Sequence, residues 1–255
     1  MSDLLSLKDI FPFGINENAE KLLYCFYHAG ATSEVFRKWA GINNNIAIGM
    51  IAILLFIPIE ISGRGRRFKE PYSKSVSNIA DEISDAILKS SGKRQIFIYG
   101  HSFGSINAFE TVLSLEHKGA EVSCLIVSGR GAPFDKDKSG FSLEMGRDAL
   151  IDLLYSMGGV DSELLSNEFF REYFMPIIEN DLILTESYKY NGEKVKCPIT
   201  AHCGTNDPET DSIQMSHWKS VTDNSFDEQV FEGGHFFVFD NKDYLNKLIS
   251  IVSGG

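Results

Sequence analysis

The most constraining feature of this 255-residue sequence is a G-x-S-x-G pattern between two segments of different periodicity. Residues 96–99 are apolar and suited to a buried strand, whereas residues 105–117 carry apolar side chains at helical spacing. A strand, a sharp turn and a helix around this pattern force the central serine into a strained conformation and lift its hydroxyl above the sheet. Gly100 and Gly104 fit because a Cβ at either position would clash. The context therefore favours a nucleophilic Ser102 over an ordinary Gly-Ser turn.

The rest of the chain alternates strand-like and helix-like segments. Apolar runs predict further strands at 22–27, 56–61, 122–127, 197–203 and 229–231. Helical spacing predicts helices from about residue 33, at 75–89 and at 244–252. This alternation indicates a mostly parallel central sheet with helices on both faces, and the serine turn makes it an α/β-hydrolase fold. The length suits one domain, and without a linker-like stretch we expect it to span residues 1–255.

One long segment interrupts that alternation, because about 70 residues before the penultimate strand contain no clear strand of their own. Two helix-like stretches within it, 143–157 and 163–174, carry more large apolar side chains than a surface loop needs. In this fold the position commonly holds a lid over the nucleophile. We therefore expect a helical lid insertion at 132–190; the alternative is two ordinary helices packed on the sheet.

Composition and charge narrow the classes of partner and compartment. The net charge of −11 argues against nucleic acid. The start of the chain shows no signal-peptide pattern, and the uncharged stretch 46–59 falls short of the roughly 20 residues of a membrane helix, so a buried strand is expected there.

No C-x-x-C spacing occurs, and we expect neither a metal nor a cofactor. Four cysteines are predicted to be buried free thiols in a reducing cytoplasm: Cys25, Cys124, Cys197 and Cys203.

The histidine that would activate the serine can be chosen by position. A serine hydroxyl needs an imidazole to take its proton and a carboxylate to orient that imidazole, and in this fold they follow in the order Ser, acid, His. His235 follows the last predicted strand in a Gly-Gly-His-Phe-Phe loop, where glycines let it reach back and phenylalanines would screen it from water. The other histidines precede any usable acid (His28, His101, His117), lie in a predicted strand (His202) or lie in a helix-like run (His217). His101 is also expected to point away from the site.

Two aspartates are candidates for the acid. Asp207, in Gly-Thr-Asn-Asp-Pro after the predicted strand 197–203, is favoured because the Asp-Pro turn keeps its carboxylate at the strand end. Asp135 is the alternative, since it follows the strand after the serine helix. Glu209 and Asp211 are expected to be solvated loop charges.

The oxyanion hole needs two N–H groups that converge on the developing negative charge. The amide of Phe103, directly after the nucleophile, is the expected first donor. The second is expected from Ala29, in the small-residue loop after the first strand, where the backbone can approach a substrate carbonyl closely.

With these features in place, the sequence resembles the type II thioesterases, the free-standing editing hydrolases that accompany nonribosomal peptide and polyketide synthetases. The resemblance runs from about Leu22 to Val252. The segments that carry it are His28-Ala29-Gly30, Gly63-Arg64-Gly65-Arg66-Arg67, Gly100-His101-Ser102-Phe103-Gly104, Asn180-Asp181-Leu182, Gly204-Thr205-Asn206-Asp207 and Phe231 to Phe237.

The resemblance implies a thioester between an acyl or aminoacyl group and the phosphopantetheine arm of a carrier protein. Ser102 would attack the thioester carbonyl, the carrier thiol would leave, and His235 would then activate water. The phosphopantetheine belongs to the substrate, so no cofactor of the enzyme is implied, and a monomer is expected. Arg64, Arg66 and Arg67 are expected either to meet an acidic carrier or its phosphate, or to form a solvated turn with one structural arginine.

Three other functions fit the same residues. A fatty-acyl thioesterase that serves a fatty acid synthase would share every catalytic residue. A lipase or carboxylesterase would prefer oxygen esters and often carries a secretion signal. A non-catalytic binding protein of the same fold is disfavoured, because it has no reason to keep a complete Ser, Asp and His set.

Overall fold

The computed structural model describes residues 6–42, 54–136, 138, 140, 142–156 and 167–254. Its centre is a six-stranded sheet in the order β2-β1-β3-β4-β5-β6, and all neighbouring strands are parallel. All carboxyl ends of the strands therefore lie along one edge of the sheet, where sites of open α/β sheets form. The strands are β1 (Lys21–Phe26), β2 (Leu54–Pro58), β3 (Gln95–His101), β4 (Cys124–Ser128), β5 (Ile199–Gly204) and β6 (Phe226–Phe231).

Helices connect these strands and cover the sheet. The helix α3 begins where the Ser75 hydroxyl accepts the N–H of Asn78, which satisfies one free donor of the first turn, and α4 starts directly after Ser102. The helices of the described segments are α1 (Leu7–Ile10), α2 (Arg37–Ile42), α3 (Val76–Ser91), α4 (Phe103–His117), α5 (Arg147–Ser156), α6 (Glu168–Ser187), α7 (Ser212–Ser216), α8 (Phe237–Asp240) and α9 (Tyr244–Ser253).

The strands show why a parallel sheet forms here. Every residue of β2, β4 and β5 is buried, as expected when helices cover both faces. Among the six strands only β6, one of the two edge strands, consists entirely of exposed and partly buried residues. The predicted α/β-hydrolase fold is confirmed.

All four cysteines are buried and free, as expected, and no helix in the described ranges is long and apolar enough to cross a membrane.

Several boundaries differ from the sequence prediction for physical reasons. The second strand ends at Pro58 rather than residue 61, because the Glu60 N–H leaves the sheet to donate to the Ile10 carbonyl. The last strand begins at Phe226 rather than residue 229, because Asp227 and Glu228 suit an exposed edge and hide its apolar pattern. The predicted strand over 46–59 is described only from Leu54 onwards, since residues 43–53 lie outside the described residues.

The segment before β5 contains two helices that pack against each other. The helix α6 continues to Ser187, past the predicted end at residue 174, and it carries Pro176 in its interior. Part of the predicted stretches, residues 157–166, lies outside the described residues. Ion pairs Arg147–Glu179 and Arg171–Asp148 link α5 to α6. A small apolar cluster, separate from the main core, holds the two together: Leu150, Ile151, Met175, Ile178 and Leu182.

Candidate active site

Ser102 lies in the strained turn between β3 and α4. Its φ of 54° and ψ of −120° make it the one non-glycine residue of the described chain with a positive φ. The turn is held in place because the Ser102 N–H donates to the Ser128 carbonyl at 2.8 Å. A Cβ on Gly104 would lie 2.5 Å from the Phe26 carbonyl oxygen, and one on Gly100 would collide with the Gly104 carbonyl. Both glycines are therefore required by close backbone approach, as predicted.

His235 and Asp207 meet at the carboxyl edge of the sheet. Asp207 follows β5, and His235 follows β6 through Gly233, whose φ is 137°. The Nδ1–H of His235 donates to both carboxylate oxygens of Asp207, at 3.0 and 3.1 Å. Their side chains are 3% and 0% exposed. A buried carboxylate that accepts from Nδ1 selects the tautomer in which Nε2 carries no proton and can accept one.

The imidazole of His235 lies beside the serine turn. Its ring centroid is 4.9 Å from that of His101, the residue before Ser102. A Cβ on Gly129 would lie 3.2 Å from its Cε1, and Gly129 follows the residue that accepts the Ser102 N–H. The prediction that His101 points away from the site was wrong, because its ring packs against that of His235.

The aromatic rings that pack beside His235 are uncharged. Burial lowers the pKa of His28 to about 3 and that of His101 well below its usual range, and positive charge on His235 lowers both further. Both rings are therefore neutral at neutral pH. Phe236 packs edge-on against His235 at 5.2 Å and against His28 at 5.0 Å. These rings exclude water from the imidazole, as the Phe-Phe pair in the sequence predicts.

The alternative acid has a different partner. Asp135 accepts from Nδ1 of His217 at 2.8 and 3.0 Å, and the His217 side chain is 41% exposed, in keeping with its predicted half-buried helical position. His202 lies in β5, as expected, with Nδ1 against the Tyr244 hydroxyl at 3.0 Å. No group of His, Cys, Asp or Glu side chains within the described residues could hold a metal ion.

Glu209 is a site residue that the sequence analysis missed. Its side chain is only 11% exposed, and Oε2 lies 3.5 Å from Nε2 of His235. The prediction of a solvated loop charge was therefore wrong for Glu209. The short loop explains the position: the Glu209 N–H donates to Oδ1 of Asp207 at 2.9 Å, which turns the chain back toward the imidazole.

The two expected oxyanion donors belong to segments that meet near the serine turn, since a Cβ on Gly104 would lie 2.5 Å from the Phe26 carbonyl oxygen at the end of β1. Phe103 is the first residue of α4, and its N–H, like that of Ala29, has no hydrogen-bond partner among the described residues. The next amide in the Ala29 loop is occupied, since the Gly30 N–H donates to Oδ2 of Asp181 at 2.8 Å. Asp181 belongs to α6, so this helix contacts the loop directly.

The arginines of the 63–67 turn are not equally available to a partner. Arg64 forms two hydrogen bonds with Asp181, at 2.7 and 2.5 Å, and both side chains are 0% exposed. Arg67, also buried, pairs with Glu70 and Glu82. Of the three candidates for contact with a carrier, Arg64 and Arg67 are therefore structural, and Arg66 alone is exposed. The local sequence could not show this, because Asp181 and Glu82 are distant along the chain.

Comparison with known proteins gives relatives over nearly the whole chain. The chain is 29% identical over 236 residues to the protein named linear gramicidin dehydrogenase LgrE of Brevibacillus parabrevis, across 91% of this chain and 87% of that protein. It is 27% identical over 248 residues to the medium-chain S-acyl fatty acid synthase thioesterase of Rattus norvegicus, across 92% and 89%. The solved structure of YbtT, a type II thioesterase from the yersiniabactin NRPS/PKS biosynthetic pathway, matches with a TM-score of 0.77 and 25% identity, across 93% and 94%.

The sheet order and the serine turn place the chain among the α/β-hydrolases. Residues 21–254 match the thioesterase domain family, and the chain belongs to that family. The name of the gramicidin relative describes a redox enzyme, whereas the family and the other two relatives are thioesterases. The chain is a thioester hydrolase, and the resemblance to type II thioesterases is confirmed.

Proposed function

We propose that the chain hydrolyses acyl or aminoacyl thioesters on the phosphopantetheine arm of carrier protein domains, through an acyl-enzyme on Ser102. The observation that carries this proposal is the buried His235–Asp207 hydrogen bond of 3.0 Å beside the strained serine turn. An imidazole oriented in this way can take a proton on Nε2 and return it.

The reaction follows from these positions. Ser102 Oγ attacks the thioester carbonyl, its proton passes to Nε2 of His235, and Asp207 stabilises the resulting imidazolium. The amides of Ala29 and Phe103 receive the carbonyl oxygen as it gains negative charge. The C–S bond then breaks and the thiol takes the proton. Water, deprotonated by His235, then attacks the acyl carbon, the bond from this carbon to Ser102 Oγ breaks, and the proton returns from His235 to Oγ as the acid leaves. The substrate brings the phosphopantetheine, so the proposed reaction needs no cofactor from the enzyme.

We assign residues 132–190, within a domain spanning 1–255, as a lid that selects the acyl group. The support is contact between α6 and the proposed oxyanion loop. A Cβ on Gly30 would lie 2.6 Å from Cγ1 of Ile178 and 3.2 Å from the ring of Phe174. Apolar side chains of α6 therefore lie against the loop that is proposed to receive the carbonyl oxygen.

The proposed partners are acyl and peptidyl carrier domains, and the enzyme that binds them is proposed to be a monomer in the cytoplasm. The relative from the yersiniabactin NRPS/PKS pathway supports a role beside a synthetase, and four buried free thiols suit a reducing compartment.

The test is release of acyl groups from loaded carrier proteins, followed by mass spectrometry. The wild-type chain should clear acyl and aminoacyl groups, and Ser102→Ala should leave the carriers loaded, because no other nucleophile occupies the strained turn. Turnover by Ser102→Ala at the wild-type rate would contradict the proposal.

A matched pair of aspartate variants separates the two candidate acids. Asp207→Asn should lower kcat on the order of 10⁴-fold, as expected when the base loses its orienting carboxylate. Asp135→Asn, which alters the His217 pair instead, should remain within a few fold of the wild type. The reverse result would reassign the acid.

A second candidate is a thioesterase for fatty-acyl carrier protein, favoured by the 27% identity to the rat fatty acid synthase thioesterase. Parallel assays with carriers loaded with medium-chain fatty acids and with aminoacyl groups distinguish the two. Oxygen esters of the same acids in that panel test the carboxylesterase alternative.

A further inference from the structure

The buried ion pair between Arg64 and Asp181 contacts the loop that holds the proposed oxyanion donor Ala29. Both side chains are 0% exposed, and Asp181 accepts from the Gly30 N–H at 2.8 Å while it binds the guanidinium. The guanidinium of Arg64 also donates to the Ala31 carbonyl, at 3.4 Å. The two residues after Ala29 are thus each held by one member of the pair.

A third buried charge fixes the far end of the same loop. Glu60 is 1% exposed and accepts from the Ser33 hydroxyl at 2.8 Å and from the Ser33 N–H at 3.2 Å. It also accepts from the Tyr27 hydroxyl at 3.2 Å. Polar side chains from outside the loop therefore hold residues 27, 30, 31 and 33, while the Ala29 amide stays free among the described residues.

Such an arrangement is a costly way to gain stability. Desolvation of two charges offsets most of their attraction, and buried ion pairs can often be replaced by apolar residues without loss of stability. An oxyanion hole, by contrast, depends on donors held in the right place before the reaction. The position of the pair, one residue from Ala29, suits the second purpose.

We infer that Asp181, held by Arg64, is a positioning residue that fixes the oxyanion loop through the Gly30 amide and so ties the hole to the lid helix α6. This inference rests on the proposed function, since it requires Ala29 to be an oxyanion donor. Neither residue touches the substrate. Their effect is on the transition state, in which the carbonyl oxygen is negative.

Two double variants isolate the Gly30 hydrogen bond. Arg64→Met with Asp181→Asn removes both charges but keeps an oxygen that can accept from Gly30. Arg64→Met with Asp181→Leu removes the charges and the acceptor together. The Asn version should keep kcat within a few fold of the wild type. The Leu version should lose 10- to 100-fold in kcat, with KM changed less than threefold. The upper limit of this loss is the 10²- to 10³-fold loss in kcat that follows removal of an oxyanion donor. Arg94→Met, which removes a partly buried arginine at the opposite, amino end of β3, is the control and should keep the wild-type kcat.

A tetrahedral inhibitor provides a readout that a merely structural role would not move. With a trifluoromethyl ketone analogue of the acyl group, Ser102 Oγ adds to the ketone carbon, its proton passes to His235, and the ketone oxygen becomes an oxyanion. The affinity of this inhibitor should weaken in the Leu version by the same factor as kcat/KM, while the affinity for an unreactive, uncharged amide of the same acyl group, whose carbonyl stays neutral, changes much less. Equal losses for both ligands, or equal kcat in the two double variants, would overturn the inference.

Two further measurements keep the test decisive. If the Leu version does not fold, amide exchange in the wild type replaces it: the Gly30 amide should be strongly protected, and rapid exchange would overturn the inference. Ser102→Ala, assayed in parallel, separates the two hypotheses. Residual turnover by that variant contradicts the proposed function, whereas an inactive Ser102→Ala beside unimpaired double variants contradicts only the role of Asp181.

Discussion

Glu209 places a second carboxylate next to the proposed catalytic imidazole, on the side opposite to Asp207. Its Oε2 lies 3.5 Å from Nε2 of His235, the nitrogen that must accept the serine proton. A negative charge here stabilises the imidazolium, and at low pH an imidazole that is already protonated cannot accept the proton of Ser102. At the same time it would assist each step in which the imidazolium forms. Glu209 therefore bears on the pH range in which the base works.

Glu209→Gln should move the acid limb of the kcat/KM profile to lower pH. The carboxylate favours the protonated imidazole, and the base works only when neutral, so its removal keeps the enzyme active in more acidic solution. The displacement is measured with a soluble acyl thioester. Asp211→Asn is the matched control, because it removes a charge from the same loop at an exposed position that caps α7. An unmoved acid limb in Glu209→Gln would show that this carboxylate does not act on the base.

At this scale the sequence predicted the residues that belong to a local pattern. Ser102 stands in a recognisable turn, and the Gly-Gly-His-Phe-Phe loop after a strand singled out His235. Glu209 and Asp181 were missed because their importance depends on contacts formed by folding. For Asp181 a signal existed, since Asn180-Asp181-Leu182 was among the segments that carry the family resemblance, but its partner Arg64 lies 117 residues away.

The helices α5 and α6 form a unit with an apolar cluster of its own. Leu150 and Ile178 belong to this cluster and not to the core around the sheet. Elements with a separate small core can open without unfolding the rest. The ion pairs between the two helices are largely exposed and contribute little, so the apolar cluster determines how firmly they pack.

Leu150→Ala should loosen these two helices while the sheet stays intact. Leu150 is 1% exposed, and removal of a buried leucine side chain typically costs 2–5 kcal/mol. Hydrogen exchange should accelerate in residues 147–156 and 168–178 and remain unchanged in β3 and β4. Leu125→Ala, in the middle of β4, is the comparison and should lower the global free energy of unfolding. Faster exchange throughout the sheet in Leu150→Ala would contradict a separate unit.

Element predictions succeeded where periodicity was strong and failed where tertiary contacts decide. The helix over 75–89 and the closing helix over 244–252 agree with α3 and α9 within about two residues. The helix α6 runs beyond its predicted end because buried side chains such as Ile178 and Leu182 stabilise its second half despite Pro176. The short helix α8 was not predicted, since four residues give too little periodicity.

Three neutral histidines, two of them fully buried and His28 partly buried, link the stability of the whole molecule to pH. Burial lowers the pKa of His28 and His202 to about 3 and that of His101 well below its usual range. In the unfolded chain these groups titrate near 6.5, so acid favours the unfolded state, which binds more protons. Their contribution is fully present above pH 6.5 and is lost as the pH falls toward 3. Glu60 and Glu110, whose pKa values are raised by burial, act in the opposite sense.

His202→Gln should make the unfolding free energy less sensitive to acid. Each buried histidine contributes about 1.4 kcal/mol per pH unit between its folded and unfolded pKa values. The variant lacks one such group, so the slope between pH 4 and 6 should fall by about that amount, although its stability at pH 7 also falls through lost packing. Urea unfolding at several pH values measures both. Parallel curves for the variant and the wild type would show that His202 is already protonated in the native state.

The burial of all four cysteines also makes the native chain inert to thiol reagents. Burial raises the pKa of every one of these thiols, those of Cys124 and Cys203 to about 11, so little thiolate is present and none of it meets the solvent. A single new cysteine at Tyr155, which is 57% exposed on α5, would therefore be the sole point of attachment for a maleimide dye. Fluorescence from that dye could follow opening of the helical pair in real time, on a protein that requires no prior removal of its natural sulfhydryls.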